Sequence, residues 1–422
     1  MTRLTTRRTA LGALLSVCAL PALAADYLPP EAVALRALAA QPAVRAATAQ
    51  ATATVADSRA LAVGSHEWEA SLIPQRRTTE TAGNYREWEA QLTRRIRLPG
   101  KAGLDREIGR HADIAAELRI DDATHQAARQ LAMAWMDWLR TGLVADEAQA
   151  QLALTTQARE ALARRVALGD AARRELDLLD AELAQVRAEA LAANAAAGAA
   201  RQALAGGFPG LPVPERLPTL PDPSPLPNGP NHWRDLIVER SHEIGIAEQD
   251  ALRQDRVAAR ARAERRADPS IGLRVMEDRG GSERAIGLVV SMPLGGRYRS
   301  EVAQREAAQA QVAQADADGM RAMVERDAWA TAHAADAQQA QWQALQAAAE
   351  AQASATTRTR RAWELGEAAL GEWLLAQRNA RLARTAELRG RVDALQAALM
   401  VQVDSHELWH PDEAEADGIP RQ

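Results

Sequence analysis

The chain has 422 residues, enough for two or three ordinary domains, yet it holds only 10 Trp, 3 Tyr and 1 Phe while nearly a quarter of it is alanine. Several bulky globular cores are therefore excluded, and long, closely packed helices are favoured. With 51 basic against 56 acidic residues the formal charge is −5, which excludes a polyanion binder. In chain order, Arg3, Arg7 and Arg8 precede an apolar stretch over 9–23, and Ala22-Leu23-Ala24 closes it. This pattern predicts a secretory signal peptide over 1–24. Cys18 lies inside it and is the only cysteine, so the exported chain is expected to form no disulfide and no thiolate site. A helix is expected over 31–63. Trp68, Ala70 and Leu72 then alternate with Glu67, Glu69 and Ser71; Trp88, Ala90, Leu92, Ile96 and Leu98 alternate with polar residues, with Arg94 interrupting the apolar face. Period two with an intervening Gly83-Asn84 predicts a β-hairpin of strands long enough to cross a bilayer.

A very long helical stretch over 101–168 follows, and Gly169 interrupts it. A shorter helix is expected over 174–206. Its Leu176, Leu179, Leu183, Val186, Ala190, Ala193, Ala197, Ala200 and Leu204 step by three and four, the seam of a coiled coil. The segment 206–230 contains nine prolines and reads as an extended linker. The order then repeats: a helix over 231–266, a hairpin with Ile271, Leu273 and Val275 on one strand and Ile286, Leu288, Val290 and Met292 on the other, a long helix over 298–365, Gly366, and a short helix over 371–403 with Leu388, Val392, Leu395 and Leu399 on its seam. Residues 404–422 read as an acidic, proline-broken tail.

The second half copies the first. Shifted by 197 positions, Arg164 meets Arg361, Leu168 meets Leu365, Gly169 meets Gly366, Asp170 meets Glu367 and Glu175 meets Glu372; Gly100-Lys101 meets Gly296-Arg297 at a shift of 196. That period is too long for a solenoid and predicts a duplicated half-molecule, with repeats over 25–205 and 231–403. Lengths agree as well: 68 helical residues span about 100 Å, and two stacked helices of 33 residues span the same distance. Lys101 is the only lysine, which reads as codon bias rather than chemistry.

This order of elements resembles the outer membrane efflux protein family, the TolC-like channels, over nearly the whole exported chain. Its specific marks are the two Leu-Gly-Asp/Glu-Ala-Ala tips, Asp268-Pro269-Ser270-Ile271 at the third strand and Pro293-Leu294-Gly295-Gly296-Arg297 after the fourth. The subtype is most similar to the outer-membrane subunits of heavy-metal RND efflux systems. The resemblance implies a mainly α fold with a small β part. In a homotrimer, each chain would lend four β-strands to a 12-stranded outer-membrane β-barrel, continued by a long periplasmic α-helical barrel of coiled-coil hairpins. It also implies a passive exit duct for substrates such as heavy-metal cations, with a periplasmic adaptor (a membrane fusion protein), an inner-membrane RND transporter and outer-membrane lipid as partners. Four strands cannot close a barrel alone, and an open edge cannot persist in lipid, so either the strands pair with other chains, as the implied trimer would have them do, or they are not in a membrane.

Leu168, Gly169, Asp170, Leu365, Gly366 and Glu367 are the candidate adaptor-docking tips. Glu372, and more weakly its counterpart Glu175, is the candidate pore constriction, where three carboxylates around one axis would favour cations. Arg360, Arg361 and Arg378 are the nearest basic partners in sequence. Punctuation of a helix explains the two glycines equally well, and a solvated helix start explains Glu372. His406 and His410 have metal-ligand spacing for a helix but fall in the tail, and His66, His111, His125, His232, His242 and His333 are scattered without pairing, so no metal site, cofactor or nucleic-acid site is expected. No nucleophile elbow, phosphate loop or zinc-protease motif appears, so no enzyme is expected. The alternative reading is a periplasmic coiled-coil scaffold, which leaves the four alternating strands idle.

Overall fold

A computed structural model describes residues 27–81 and 83–410; the expected signal peptide lies outside the described residues. Two helices, α1 (Glu31–Ala39) and α2 (Pro42–Val63), replace the single helix expected over 31–63. Pro42 explains the break: it occupies the first turn of α2, where its missing N–H is not needed. Strands β1 (Trp68–Thr79) and β2 (Gly83–Arg95) follow, then α3 (Lys101–Leu168) and α4 (Arg173–Gly207). The second repeat matches it with α5 (Gly229–Glu239), α6 (His242–Glu264), β3 (Ser270–Asp278), β4 (Glu283–Ser291), α7 (Arg297–Glu364) and α8 (Leu370–Asp404). Here too the expected helix over 231–266 is broken, because Ser241 caps α6 by accepting the Ile244 N–H at 3.3 Å.

Both long helices hold 68 residues, so each spans about 100 Å. Along α3, α2 packs on the half nearest the sheet and α4 on the far half; α7 is flanked in the same way by α6 and α8. The α4 seam explains the second contact: six of its nine residues are buried and Leu183, Ala193 and Ala197 are half-buried. The principal core lies midway along the column. There Leu131, Trp135, Trp138 and Leu139 of α3 meet Leu38, Leu204, Leu395 and Leu399, and the Trp135 indole N–H donates to the Tyr27 carbonyl at 2.9 Å. The proline-rich segment crosses this core rather than hanging free. Leu211 and Leu220 are buried in it, and Arg391 donates to the Leu220 carbonyl at 2.6 Å and to Asp222 at 2.8 Å.

The strands form one antiparallel sheet in the order β1-β2-β3-β4, with β1 and β4 as its edges. Directly paired residues share a face, so the register reads out the faces row by row. Leu72, Ala90, Val275 and Ile286 form one row across the sheet; Ala70, Leu92, Leu273 and Leu288 form the next; Trp68, Arg94, Ile271 and Val290 form the last. The expected alternation thus becomes a continuous apolar face. Ser71, Gln91, Arg274 and Gly287 make a row on the opposite face. Arg94 does not break the apolar face. It lies at the end nearest the helices, donates through Nε to the His66 carbonyl at 3.0 Å and stacks over Trp68.

The sheet is fixed to the column by a buried charge cluster. Lys101 is 1% exposed, and its ammonium donates to Glu264 at 3.0 Å, to the Arg266 carbonyl at 2.7 Å and to Asp268 at 2.8 Å. Three donors meet three acceptors, which is the full capacity of an ammonium. Asp268 also accepts the Leu98 N–H at 2.9 Å. Arg97 and Arg260 both donate to Asp105 at 2.8 Å, while Arg260 and Arg299 both donate to Glu264. Two sequence readings are corrected here. The lone lysine is structural chemistry, and Arg97, one of the polar residues alternating with Ile96 and Leu98 in the expected second strand, is drawn into this cluster past the end of β2. Burial pushes Glu264 and Asp268 up, but hydrogen bonds overcome it: Arg260 and Lys101 hold Glu264 below its ordinary 4.5, and Lys101 and the Leu98 N–H hold Asp268 below its ordinary 3.8.

Lys101→Met should cost about 3–5 kcal/mol, because it leaves Asp268 buried without its cation. Arg297→Met, at the matching repeat position with a side chain 92% exposed, should cost no more than about 0.5 kcal/mol. Thermal unfolding of the two variants compares them. Because both folded carboxylate pKa values lie below their unfolded ones, their contribution is complete at neutral pH and is lost as pH falls below about 4; an acid titration of unfolding should show that loss in the wild type and less of it in Lys101→Met.

Candidate functional site

The two tips, at the ends of α3 and α7, are built alike down to single hydrogen bonds. Gly169 is left-handed (φ 80°), its N–H donates to the Val166 carbonyl at 3.1 Å, and the Asp170 N–H donates to Arg165 at 2.9 Å. Gly366 (φ 83°) donates to Trp363 at 3.0 Å, and the Glu367 N–H to Ala362 at 2.8 Å. This is the paired bonding of a Schellman cap, which needs positive φ at the glycine. The residues flanking the caps face outward: Leu168 is 77% exposed and Leu365 58%, with Asp170 and Glu367 also exposed. A large aliphatic side chain held out on a rigid reversal, beside a carboxylate, can insert into an apolar groove of another protein.

Behind the tips a small core joins the two hairpins. Leu162, Leu176, Leu179, Leu370 and Trp373 are buried together, Trp363 stacks on Trp373 with centroids 4.7 Å apart, and Arg165 lies over Trp363. Near it a charged contact crosses from α8 to α4. Glu182 is buried and accepts from Arg378 and from Arg381 at 3.0 Å each, and Arg381 also reaches Glu189 at 3.2 Å. Arg159 donates to Asp180 at 2.7 Å, a hydrogen bond that lowers the Asp180 carboxyl below its ordinary range.

The candidate constriction residues sit at the starts of the return helices. Glu372 is exposed, and its Oε1 accepts the Ala369 N–H at 3.4 Å. That is half of a capping box, since Ala369 has no side-chain oxygen to return the bond. Glu175 is half-buried at the same position of α4. The expected arginine partners of Glu372 are engaged elsewhere: Arg360 and Arg361 pair with Glu364, and Arg378 with Glu182. Sequence proximity missed the first two because residues three or four apart on a helix meet before residues separated by a turn do, and it missed the third because Glu182 lies 196 positions from Arg378.

The tail reading of 404–410 is also corrected. Ser405 and His406 are buried and Trp409, 2% exposed, belongs to the principal core. This packing brings His406 and His410 to His242, the three rings in mutual contact, and His125 against His242 and His406. Burial, and then the charge of Arg129 and the neighbouring histidines, lowers His125 to about 4, and burial followed by the repulsion of the other three rings lowers His406 further. No spacing in the sequence could have signalled this, because His242 lies 164 positions before His406.

No family model matches the sequence, and no curated protein matches it. The solved structures are informative. The outer membrane protein VceC of Vibrio cholerae superposes with a TM-score of 0.74 at 17% identity, over 89% of this chain and 95% of that one. This is the TolC-like channel fold. The Campylobacter jejuni outer membrane channel CmeC gives 0.72 at 13% identity over 92% and 89% of the two chains, and the open state of the Neisseria gonorrhoeae channel MtrE gives 0.70 at 18% over 89% and 88%. The mainly α architecture with its four-stranded sheet, expected from the sequence, is thus the TolC-like one over nearly the whole chain.

Gly169→Ala and Gly366→Ala should each cost roughly 1 kcal/mol, through left-handed backbone strain alone, because a Cβ at either site meets nothing within 4 Å. Asn should cost less at both sites. Thermal unfolding of the four variants checks the order.

Proposed function

We propose that this chain is the outer-membrane exit duct of a tripartite efflux system. The observation that carries the proposal is the sheet: a continuous apolar face on four strands of 9 to 13 residues, with both edges unpaired, stands at one end of a ~100 Å helical column. Strands of that length match a tilted crossing of a bilayer. Unpaired edges cannot persist in hydrocarbon, so the sheet needs copies of itself, and three chains supply twelve strands. No helix among the described residues is long and apolar enough to cross a membrane, so the strands are the elements that would do so. The likeness to outer-membrane channels supports the same reading.

In this reading the signal peptide exports the chain to the outer membrane, with the column extending into the periplasm. The tips around Leu168–Asp170 and Leu365–Glu367 dock a periplasmic adaptor, and an inner-membrane RND pump supplies the energy. Glu372, with Glu175, contributes a carboxylate ring at the periplasmic end. Heavy-metal cations are the proposed substrates, which a ring of carboxylates and a net acidic chain favour electrostatically.

Membrane fractionation and native mass measurement of the exported protein should give an outer-membrane trimer, and a water-soluble monomer would overturn the proposal. Val290→Arg, on the apolar face, should cost about 2–4 kcal/mol near the bilayer midplane and less toward an interface, while Val289→Arg on the other face should be milder; detergent-phase unfolding measures both. Leu365→Asp should abolish efflux in cells while leaving thermal stability unchanged. Glu372→Gln keeps the bond from Ala369 and removes the charge, so it should lower cation over anion permeability in planar bilayers; an unchanged ratio would leave Glu372 as a helix cap only.

A further inference from the structure

Midway along the column, far from both the tips and the sheet, three imidazoles converge from two distant parts of the chain. His242 opens α6, and His406 and His410 lie in the turn after α8. One ring nitrogen from each lies within 4.8 Å of the others, and Nε2 of His242 and Nε2 of His410 are 3.4 Å apart. In a tetrahedral site with metal–nitrogen bonds of ~2.0–2.1 Å, neighbouring ligand atoms stand about 3.3 Å apart. One pair already has that spacing, and the three near-parallel rings would turn out of their stack to direct a nitrogen each onto one ion. The rings of His242 and His406 stack at 4.4 Å, and those of His406 and His410 at 4.5 Å.

The backbone of this turn supplies a second, independent observation. Its hydrogen bonds repeat those of the tips: the His406 N–H donates to the Val403 carbonyl at 3.1 Å and the Glu407 N–H to Gln402 at 2.9 Å. At the tips the residue in that position is glycine. Here it is His406, left-handed at φ 59°, and Trp409 is left-handed at φ 56°. A non-glycine residue costs backbone energy in this conformation, and such a cost persists where the surroundings over-determine it. The surroundings here are specific. Trp409 is anchored in the principal core, and Arg240 donates to the Ser405 carbonyl and to Glu407 at 2.7 Å each. Both hold the turn so that its two histidines face His242.

We propose that His242, His406 and His410 form a binding site for a divalent transition-metal cation of the zinc type. An all-imidazole donor set suits zinc, copper or nickel and does not suit magnesium or calcium, which take oxygen ligands. Three protein nitrogens leave a fourth position for solvent, as in open zinc sites. A cavity of about 250 Å³ lined by His125, Glu243, Asp404 and His406 adjoins the cluster and gives access. Glu243 adds negative charge beside it, while Arg129 is paired with Asp404 and Arg240 with the Ser405 carbonyl and Glu407. The bound ion joins the end of α8 to the start of α6, locking the close of the second repeat onto its own beginning. The site uses side chains of this chain alone and stands whether or not the channel reading holds.

The test uses the full exported protein in detergent, without a polyhistidine tag, stripped with chelator and titrated with Zn²⁺ alone. Calorimetry should give one Zn²⁺ per chain, and Co²⁺ should give the visible absorption of a tetrahedral nitrogen site. His242→Gln and His410→Gln should each weaken binding by more than the ~10–100-fold typical when only a ligand's hydrogen-bond partner is lost. His232→Gln and His333→Gln, remote from the cluster, should bind as the wild type does. His406→Gly should relieve the left-handed strain, so the metal-free protein should be as stable as the wild type or more so, yet Zn²⁺ should no longer raise its Tm. Failure of the wild type to bind one Zn²⁺ per chain would overturn the proposal. So would unchanged binding in a folded His242→Gln/His410→Gln double variant, which would assign any ion to other residues.

Discussion

The ammonium of Lys101 is the point on which the arrangement of sheet and column depends. A β-sheet presented at the end of a helical column must change direction and periodicity four times, twice entering a strand and twice leaving one. Each change frees backbone groups and brings charged residues into a crowded joint. Lys101, at the first turn of α3, binds Glu264 and Asp268 from the end of α6 and the approach to β3, so one side chain ties the first repeat to the second. Removing water from such a cluster is costly, and its value lies in orientation as much as in stability. The matching residue of the second repeat, Arg297, is paired among the described residues with its helical neighbour Glu301. The two halves present corresponding joints, and the folded chain uses one of them as its anchor.

From that anchor the remaining geometry follows by length. Two helices of 68 residues run from the joint to the tips, and the shorter helices fill the same distance in pairs. The breaks between α1 and α2 and between α5 and α6 fall at corresponding places in the two repeats. Both lie near the principal core, where the linker crosses and the end of α8 docks. The middle of the column is thus the place where the two repeats, the linker and the C-terminal turn are all in contact, and it is where the four histidines gather.

The tips obey a different constraint. A chain that reverses between two long helices must satisfy the last carbonyls of the first helix within a few residues, and a left-handed glycine does so with no side chain in the way. The small core of Leu162, Leu179, Leu370 and Trp373, with the Arg378–Glu182–Arg381 contact beside it, couples the two hairpins within one chain. Exposed leucines on rigid caps are then free for another molecule.

Much of this was legible in the sequence, because it rests on local periodicity. Helix lengths, the four alternating runs, the seam of α4, the repeat near 197 and the glycine reversals are all set by neighbours a few residues apart, and the apolar rows of the sheet keep the parity that the alternation implies. Glu372 and Glu175 could be read as helix starts for the same reason. Tertiary structure decided what depends on residues far apart. The choice of partners for Arg378 and Arg97, the burial of Lys101 and the convergence of His242 with His406 and His410 join segments separated by 160 positions or more, or by a turn that no spacing rule describes. A lone lysine and a pair of histidines near the end of an acidic stretch carry no periodic signal. Their roles come from the space that packing leaves around them, where a buried charge must find opposite charges and buried rings must find one another.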